Sequence, residues 1–260
     1  MNDMRSNLNA IILTYHSISE GLPPLCISPN IFAAQMQWLK SNANVIPLEL
    51  LAESLTHGKL LPPETVALTF DDGFSDFYSV AAPLLRRLGL PSIVFLAAAY
   101  CGKVASWISP SEERSLMTWA QIKDLVEYGV SFGSHGMNHP ILTGRTDSEL
   151  AHELSESKRL IEAETGREVR FFCYPYGRHN ERVRRAVSAC YGGGACTTDL
   201  CTAGSDADRF ALPRIDAHYL RNFTIFQSMF TARFHLYIHA RKIMRDFKNR
   251  VRPVKSSGRL

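Results

Sequence analysis

Apolar and polar positions repeat along this chain with two different periods. Short apolar runs rich in β-branched residues predict strands, and the longer segments between them have the spacing of amphipathic helices. The clearest strand candidates are residues 10–16, 66–70, 92–98, 130–134, 169–174 and 194–198, with shorter ones near Val45 and Leu212. This alternation predicts an α/β fold.

The predicted helices have recognisable ends. They run from Asn30 to about Lys40, from Asp76 to Gly89, from Thr118 to Gly129 and from Thr146 to Gly166. Thr146 is followed three residues later by Glu149, which is the spacing of a capping box. Glycine at the end of three of these segments is typical of a helix C-terminus.

Strands that alternate with helices are expected to lie parallel, either in an open doubly wound sheet or in a closed barrel. No glycine-rich phosphate loop follows the first strand, and about seven or eight strand–helix units favour a distorted (β/α) barrel. A length of 260 residues suits one such domain. We therefore predict a barrel domain over residues 1–220 and an amphipathic basic helical tail over residues 221–260.

The tail changes the interpretation of the net charge. The chain has a formal charge of +4, but residues 221–260 hold ten Lys and Arg against one acid, so the rest of the chain is mildly acidic. A nucleic-acid partner is not expected for the main body. Apolar residues recur at helical spacing in the tail and predict a face that packs on the barrel: Phe226, Phe230, Tyr237, Ala240, Met244 and Phe247.

Compartment and redox state follow from what the sequence contains. No segment reaches the roughly 20 apolar residues that a membrane-spanning helix needs, and the N-terminus lacks the pattern of a secretory signal. The six cysteines form no Cys-x-x-Cys pair and are interpreted as small buried thiols. These features predict a cytoplasmic protein. The basic tail adds the alternative of peripheral contact with the inner face of a membrane.

Ionisable and turn-forming groups follow four of the predicted strands. In a parallel barrel such positions share one edge, where reactive groups collect. The groups are His16, Asp71-Asp72, His135 with His139, and Tyr174-Pro175-Tyr176-Gly177. Two adjacent carboxylates point in different directions and suit different roles. Asp72, His135 and His139 offer one carboxylate and two imidazoles, which leaves coordination positions open, as in a catalytic metal site.

Three segments in order carry a family resemblance. Thr69-Phe70-Asp71-Asp72-Gly73, Ser134-His135-Gly136-Met137-Asn138-His139-Pro140 and Tyr174-Pro175-Tyr176-Gly177 resemble the motifs of the polysaccharide deacetylases of carbohydrate esterase family 4. The resemblance covers roughly residues 8–216. It implies a distorted (β/α) barrel, hydrolysis of N-acetyl groups, Asp71 as general base, and Asp72, His135 and His139 as metal ligands. It also implies that the turn at Tyr176-Gly177 offers a backbone N–H to the oxyanion.

Two departures from the common family pattern leave roles open. Cys173 stands where the third motif usually has an arginine that orients the base, and Arg214 is the candidate to replace it. The late Leu-x-His motif is not evident either. Leu13-Thr14-Tyr15-His16 resembles the N-terminal Tyr-His of the poly-N-acetylglucosamine deacetylase branch. We therefore expect His16 to be the general acid, with His218 as the alternative.

These observations predict a metal-dependent hydrolase that removes N-acetyl groups from an exopolysaccharide, cell-wall or lipid-linked glycan. Zinc is the default metal, with cobalt or nickel also compatible with the ligands. The alternatives are an O-acetyl esterase, a small-amide deacetylase, or a catalytically silent carbohydrate-binding barrel. A sugar-stacking groove is predicted from four aromatic residues, although core packing is favoured for Trp119: Trp107, Trp119, Tyr100 and Tyr176.

Overall fold

The computed structural model describes residues 10–108, 113–204 and 206–251, and side chains as far as residue 248. Its strands are β1 Ile11–Tyr15, β2 Ser17–Ile18, β3 Cys26–Ile27, β4 Asn44–Val45, β5 Thr65–Phe70, β6 Ile93–Leu96, β7 Ser131–Ser134, β8 Phe171–Cys173, β9 Gly194–Cys196 and β10 Ile215–Asp216. Its helices are α1 Pro29–Asn42, α2 Leu48–Thr56, α3 Ala82–Leu88, α4 Trp119–Glu127, α5 Asp147–Thr165, α6 Glu181–Cys190, α7 Phe223–Gln227 and α8 Ala232–Val251.

The main sheet is parallel and has the order β10-β1-β5-β6-β7-β8-β9, with β4 paired to β5. The segment before β10 also makes a parallel bridge to β9, between Leu212 and Cys196. One segment therefore contacts both edges of the sheet and curls it into a barrel. This confirms the predicted fold class, with eight strands in the main sheet. The small β2–β3 pair lies outside it.

Side chains that alternate along each strand build two apolar layers. Residues such as Leu13, Leu68 and Val94 pack against the surrounding helices, whereas Ile12, Ala67 and Phe95 form a separate cluster with apolar residues of α2. Phe77 and Phe95 are both buried. Helices thus cover the outside of the sheet, and the interior is filled with side chains.

Several helix ends agree with the sequence, and one does not. Thr118 and Thr146 form complete capping boxes with Gln121 and Glu149, and Gly166 ends α5 in a left-handed conformation. The predicted cap at Asn30 is wrong, because Ser28 caps α1 and Pro29 occupies its first turn. Proline fits that position since its fixed φ is helical and its missing N–H would have no partner there.

The tail packs differently from the prediction. Phe226, Phe234 and Ile238 are buried against the barrel, but Met244 and Phe247 are 48% and 66% exposed. The expected single apolar face is therefore split between two sides of the tail helices. No helix in the described part of the chain is long and apolar enough to span a membrane.

Candidate metal site and catalytic residues

Parallel strands place their carboxyl ends at one edge of the barrel, and the predicted site residues gather there. His16 follows β1, Asp71 and Asp72 follow β5, and His135 and His139 follow β7. Residues from distant parts of the chain therefore meet in one place, as expected for this architecture.

Asp72, His135 and His139 form a compact buried set. Asp72 Oδ1 lies 3.3 Å from His139 Nε2 and 3.7 Å from His135 Nε2, and one potential ligand atom from each residue lies within 4.8 Å of the others. All three side chains are buried, and Asp72 Oδ1 has no hydrogen-bond donor among the described residues. A buried carboxylate oxygen that faces two imidazole nitrogens fits a divalent cation, because such an oxygen otherwise loses the water that would solvate it.

Two of these ligands have left-handed backbone conformations. The φ angles are 69° at Asp72 and 56° at His139, although neither residue is glycine. Such conformations cost on the order of 1 kcal/mol or more and persist where the surrounding structure enforces them. Here they direct both side chains toward the same point.

Neighbouring groups orient the imidazoles. His135 Nδ1 lies 2.8 Å from the carbonyl oxygen of Cys173, so that its Nε2 faces Asp72. The ring of Trp107 stacks on that of His139 with centroids 4.3 Å apart. Burial holds the pKa of His139 well below its usual value, which favours the neutral imidazole that a metal ligand requires.

Glu153 of α5 fixes the loop that joins the two histidines. Its Oε2 accepts hydrogen bonds from the backbone N–H groups of Met137 and Asn138 at 2.8 and 2.9 Å, and its Oε1 accepts from Asn138 Nδ2 at 2.7 Å. The side chain is 5% exposed. Sequence reasoning missed this residue. The available signal was a charged side chain aligned with the buried face of a predicted helix, beside Leu150 and Leu154.

Arg214 clamps Asp71. Its guanidinium donates to Asp71 Oδ1 at 2.7 Å and to Oδ2 at 2.6 Å, and it is fixed in turn by Thr69 Oγ1 and the carbonyl oxygen of Thr197. Burial raises the pKa of Asp71, but the charge and hydrogen bonds of Arg214 outweigh burial and hold it well below its usual range. Arg214 and Asp71 are thus in direct contact, and the role of Arg214 in orienting the base stays a prediction.

Cys173 lies beside this pair and belongs to a second possible ligand set, Asp71–His135–Cys173. Its Sγ is 3.0 Å from an Arg214 nitrogen and 3.5 Å from Asp71 Oδ2. Burial raises the pKa of the Cys173 thiol well above its usual value, and both oxygens of Asp71 are engaged by Arg214. Because Arg214 already occupies both oxygens of Asp71, the Asp72 set is the better metal site. All six cysteines are free thiols.

His16 also lies beside Asp71. Its Nε2 is 3.8 Å from Asp71 Oδ2, and its Nδ1 is 3.9 Å from Asp216 Oδ2. Burial lowers the pKa of His16, but the carboxylates of Asp216, Asp71 and Asp72 outweigh burial, so that the net shift is upward. The protonated form of His16 is therefore favoured. The 22% exposure of its side chain leaves it accessible to a substrate.

His218 has different surroundings. It lies in the turn after β10, its ring contacts Tyr219, and burial lowers its pKa. None of its described contacts reaches Asp71. The structure therefore brings His16, rather than His218, next to the predicted base.

A cleft of about 990 Å³ opens beside His139. Trp107, Tyr176 and Arg178 line it, together with residues at the start of α5. Tyr176 is half-buried, has a φ of 59° and packs against His139 with ring centroids 4.7 Å apart. This residue of the third motif therefore faces the cleft.

The other members of that motif support the turn. Tyr174 is fully buried and donates its hydroxyl to the carbonyl oxygen of Phe210, and Pro175 is buried. A Cβ at Gly177 would lie 2.1 Å from Thr198 Oγ1, so no side chain fits at that position. Substrate binding by Tyr174, Pro175, Tyr176 and Gly177 stays a prediction, and burial keeps the side chains of Tyr174 and Pro175 out of the cleft.

The predicted aromatic groove also changes. Trp107 lines the cleft, but its ring face is covered by His139. Tyr100 packs edge-on against Trp107, and Trp119 packs against the core. Of the four predicted residues, Tyr176 is therefore the best placed for contact with a sugar.

Comparisons with known proteins agree with this geometry. The family model described as polysaccharide deacetylase matches residues 59–191. YxkH of Bacillus subtilis, a candidate polysaccharide deacetylase, is 31% identical over 206 residues, which are 78% of this chain and 70% of that protein. A poly-beta-1,6-N-acetyl-D-glucosamine N-deacetylase of Staphylococcus epidermidis is 23% identical, with 80% of this chain and 78% of that protein covered.

Solved structures show the same architecture. A Streptococcus pyogenes deacetylase in complex with acetate has a TM-score of 0.71 at 25% identity, covering 81% of this chain and 92% of that one. IcaB from Ammonifex degensii has a TM-score of 0.68 at 22% identity, covering 80% and 91%. At 22% identity, the likeness to IcaB concerns the fold alone.

Proposed function

Because the chain belongs to the polysaccharide deacetylase family, and is by class a polysaccharide N-deacetylase, we propose that it removes acetyl groups from the amino sugars of an N-acetylated glycan. The observation that carries the proposal is the buried Asp72–His135–His139 set beside the Asp71–Arg214 pair. A complete ligand set next to an ionised carboxylate argues against a catalytically silent barrel. The barrel domain of residues 1–220 and the basic tail of residues 221–260 remain the proposed division of the chain.

Hydrolysis of an amide requires a nucleophile at neutral pH and stabilisation of negative charge on the carbonyl oxygen. A divalent cation at Asp72, His135 and His139, zinc in our proposal, supplies Lewis acidity and makes a hydrolytic nucleophile available. Asp71 accepts the proton of the attacking water. Its low pKa makes it a weak base, but the clamp by Arg214 keeps it ionised and fixed in direction.

The C–N bond breaks only if the leaving nitrogen is protonated. His16, beside Asp71, gives that proton, and its raised pKa favours the protonated form that this role requires. The products are acetate and the free amine. The turn at Tyr176-Gly177 lies next to His139. The N–H of Gly177 already donates to the carbonyl oxygen of Tyr174, so in this proposal the backbone N–H of Tyr176 donates to the oxyanion.

The proposed substrates are oligomers of N-acetylglucosamine in an exopolysaccharide, cell-wall or lipid-linked glycan. A glycan held near a lipid surface is included because the tail has ten Lys and Arg against one acid. The Staphylococcus epidermidis relative is named for a poly-β-1,6-linked polymer, which makes that linkage the first to test.

The test measures acetate release from β-1,6- and β-1,4-linked N-acetylglucosamine oligomers and from an O-acetylated sugar. The protein is first treated with a chelator and then supplied with zinc, cobalt or nickel separately. We expect release from an N-acetylated oligomer that the chelator abolishes and a metal restores. Faster release from the O-acetylated sugar would replace the proposal with an esterase, and release that survives chelation would refute the metal site.

A further inference from the structure

Helix α8 has a second apolar face that points away from the barrel. Phe234 and Ile238 are buried against the protein, at 0% and 4% exposed. Leu236, Ile243 and Phe247 are instead 72%, 57% and 66% exposed. At about 100° of rotation per residue, these three side chains lie within roughly 40° of one another and nearly opposite the buried pair. We call Leu236, Ile243 and Phe247 the outer face.

Exposed apolar residues occur singly on most proteins, but a continuous stripe of large ones marks an interaction site. Leu50 and Leu60 illustrate the first case, since they are 52% and 67% exposed but do not lie in such a stripe. The outer face extends over three turns of one helix, with Ala240 between its members and Met244, 48% exposed, beside it.

Exposed cationic residues lie on one side of the outer face. Arg233 is about 60° around the helix from the centre of that face, and Lys248 lies further round on the same side. The only acidic side chain of α8, Asp246, lies 3.2 Å from Arg245. Long basic side chains beside an apolar stripe reach the headgroups of a bilayer while the stripe enters its surface. We propose that the outer face of α8 binds the surface of an anionic lipid bilayer.

Charge decides between a bilayer and a protein partner. Both would cover apolar residues, but a helix whose charged side chains are almost all basic complements the negative potential of anionic lipids. Contact with such a surface does not require a membrane-spanning segment. Helix α8 lies along the bilayer in this proposal, with the buried pair still docked on the barrel.

The position of α8 links this contact to the active-site edge. Arg245 donates to the carbonyl oxygen of Thr198, which follows β9 and packs against Gly177. The hydroxyl of Tyr237 donates to the carbonyl oxygen of Tyr219, just after β10. The helix is therefore held by loops at the same edge of the barrel as the candidate metal site. Binding of α8 to a bilayer places that edge beside the lipid surface.

Vesicle sedimentation of the full chain, without glycan, tests the proposal independently of catalysis. Vesicles of phosphatidylcholine alone are compared with vesicles that also contain phosphatidylglycerol. We expect binding to the mixed vesicles that weakens as salt is raised. The double variant Ile243→Gln, Phe247→Gln should bind at least about tenfold more weakly. The control Leu50→Gln, Leu60→Gln, which also removes two exposed apolar side chains, should bind as the wild type does.

A second double variant tests the electrostatic attraction separately from the insertion of apolar side chains into the bilayer. Arg233→Gln with Lys248→Gln should weaken binding to the mixed vesicles by about fivefold per charge and reduce the salt dependence. All variants change exposed side chains, so unchanged thermal unfolding is expected and is measured. Absence of wild-type binding, or equal binding by the outer-face variant, would overturn the proposal. So would a wild-type dimer in solution that the same variant converts to a monomer, because the occupant of the face would then be a second copy.

Discussion

Arg214 and Asp71 form a bidentate ion pair at 2.6 and 2.7 Å, although 143 positions separate them in the chain. Both side chains are almost completely buried. Strand β10 is short and pairs with Leu13 and Thr14 near the end of β1, and the end of β1 pairs with the end of β5. Arg214, just before β10, therefore lies within reach of Asp71, just after β5. The pair supplies a fixed, ionised carboxylate from two residues whose relationship local sequence does not reveal.

Replacement of Arg214 by lysine should move the acid limb of kcat/KM to higher pH. Arg214 lowers the pKa of Asp71, and a lysine cannot donate two parallel hydrogen bonds, so the pKa of Asp71 should rise. Asp71 must be ionised to accept a proton, and activity should therefore disappear at a higher pH than in the wild type. We expect kcat/KM to fall by about 10–100-fold at the optimum as well.

The control is Arg209→Lys, since Arg209 binds the carbonyl oxygens of Gly192 and Gly193. It should leave the acid limb in place. A lower rate in Arg214→Lys with an unchanged acid limb would mean that Arg214 only supports the fold.

Substitution of each of the two adjacent aspartates should separate metal binding from proton transfer. Asp72→Asn removes the charged ligand, and we expect loss of both bound metal and acetate release. Asp71→Asn should retain metal close to the wild-type level but lose acetate release. Metal content by mass spectrometry and acetate by an enzymatic assay decide this, with thermal unfolding as the check on folding. Loss of metal in Asp71→Asn would favour the alternative ligand set with Cys173.

The two candidate acids should differ strongly when each is replaced by glutamine. His16 faces Asp71, and we expect His16→Gln to lower kcat by about 10²–10⁴-fold without loss of metal. His218→Gln should stay within about threefold of the wild type, because none of its described contacts reaches Asp71. Comparable losses in the two variants would remove His16 from its proposed role.

Asp216 should set the alkaline limit of activity through His16. Burial lowers the pKa of His16, and Asp216 makes the largest contribution that raises it. Asp216→Asn removes this charge, so the pKa of His16 should fall and its acid form should be lost at a lower pH. We expect the alkaline limb of kcat/KM to move down by up to about one pH unit. Asp208→Asn, which alters an ion pair with Arg184, is the control and should not move it.

Glu153 should affect metal affinity without contact with the metal. Glu153→Ala leaves two backbone N–H groups of the His135–His139 loop without their acceptor, and we expect a loss of about 1–3 kcal/mol in the free energy of unfolding. The loop then holds the ligands less firmly, which should weaken metal binding by about 10–100-fold. Excess metal should restore much of kcat.

Glu156→Ala is the matched control, since Glu156 lies on the same helix and pairs with Arg159 at the surface. It should leave both metal affinity and stability near wild-type values. Unchanged metal affinity in Glu153→Ala would show that the loop keeps its shape by other contacts.

Local patterns in the sequence determined the elements and the motif residues. The helix starts at Thr118 and Thr146 could be predicted because a capping box joins groups only three residues apart. The edge at which Asp72, His135 and His139 meet was also predictable, because parallel strands must place their carboxyl ends together. The family resemblance supplied roles for these residues that spacing alone left open.

Tertiary packing decided the rest. The sequence predicted His16 as the acid and His218 as the alternative. Which of the two lies next to Asp71 depends on the pairing of β1 with β10, which the sequence does not show. The position of Glu153 on the buried face of its helix could be predicted, but its partners, two backbone N–H groups and the Asn138 side chain of a distant loop, could not. The tail has apolar residues on two sides, and helical spacing cannot tell which side meets the barrel. Only the contacts of Phe234 and Ile238 decided that Leu236, Ile243 and Phe247 face outward.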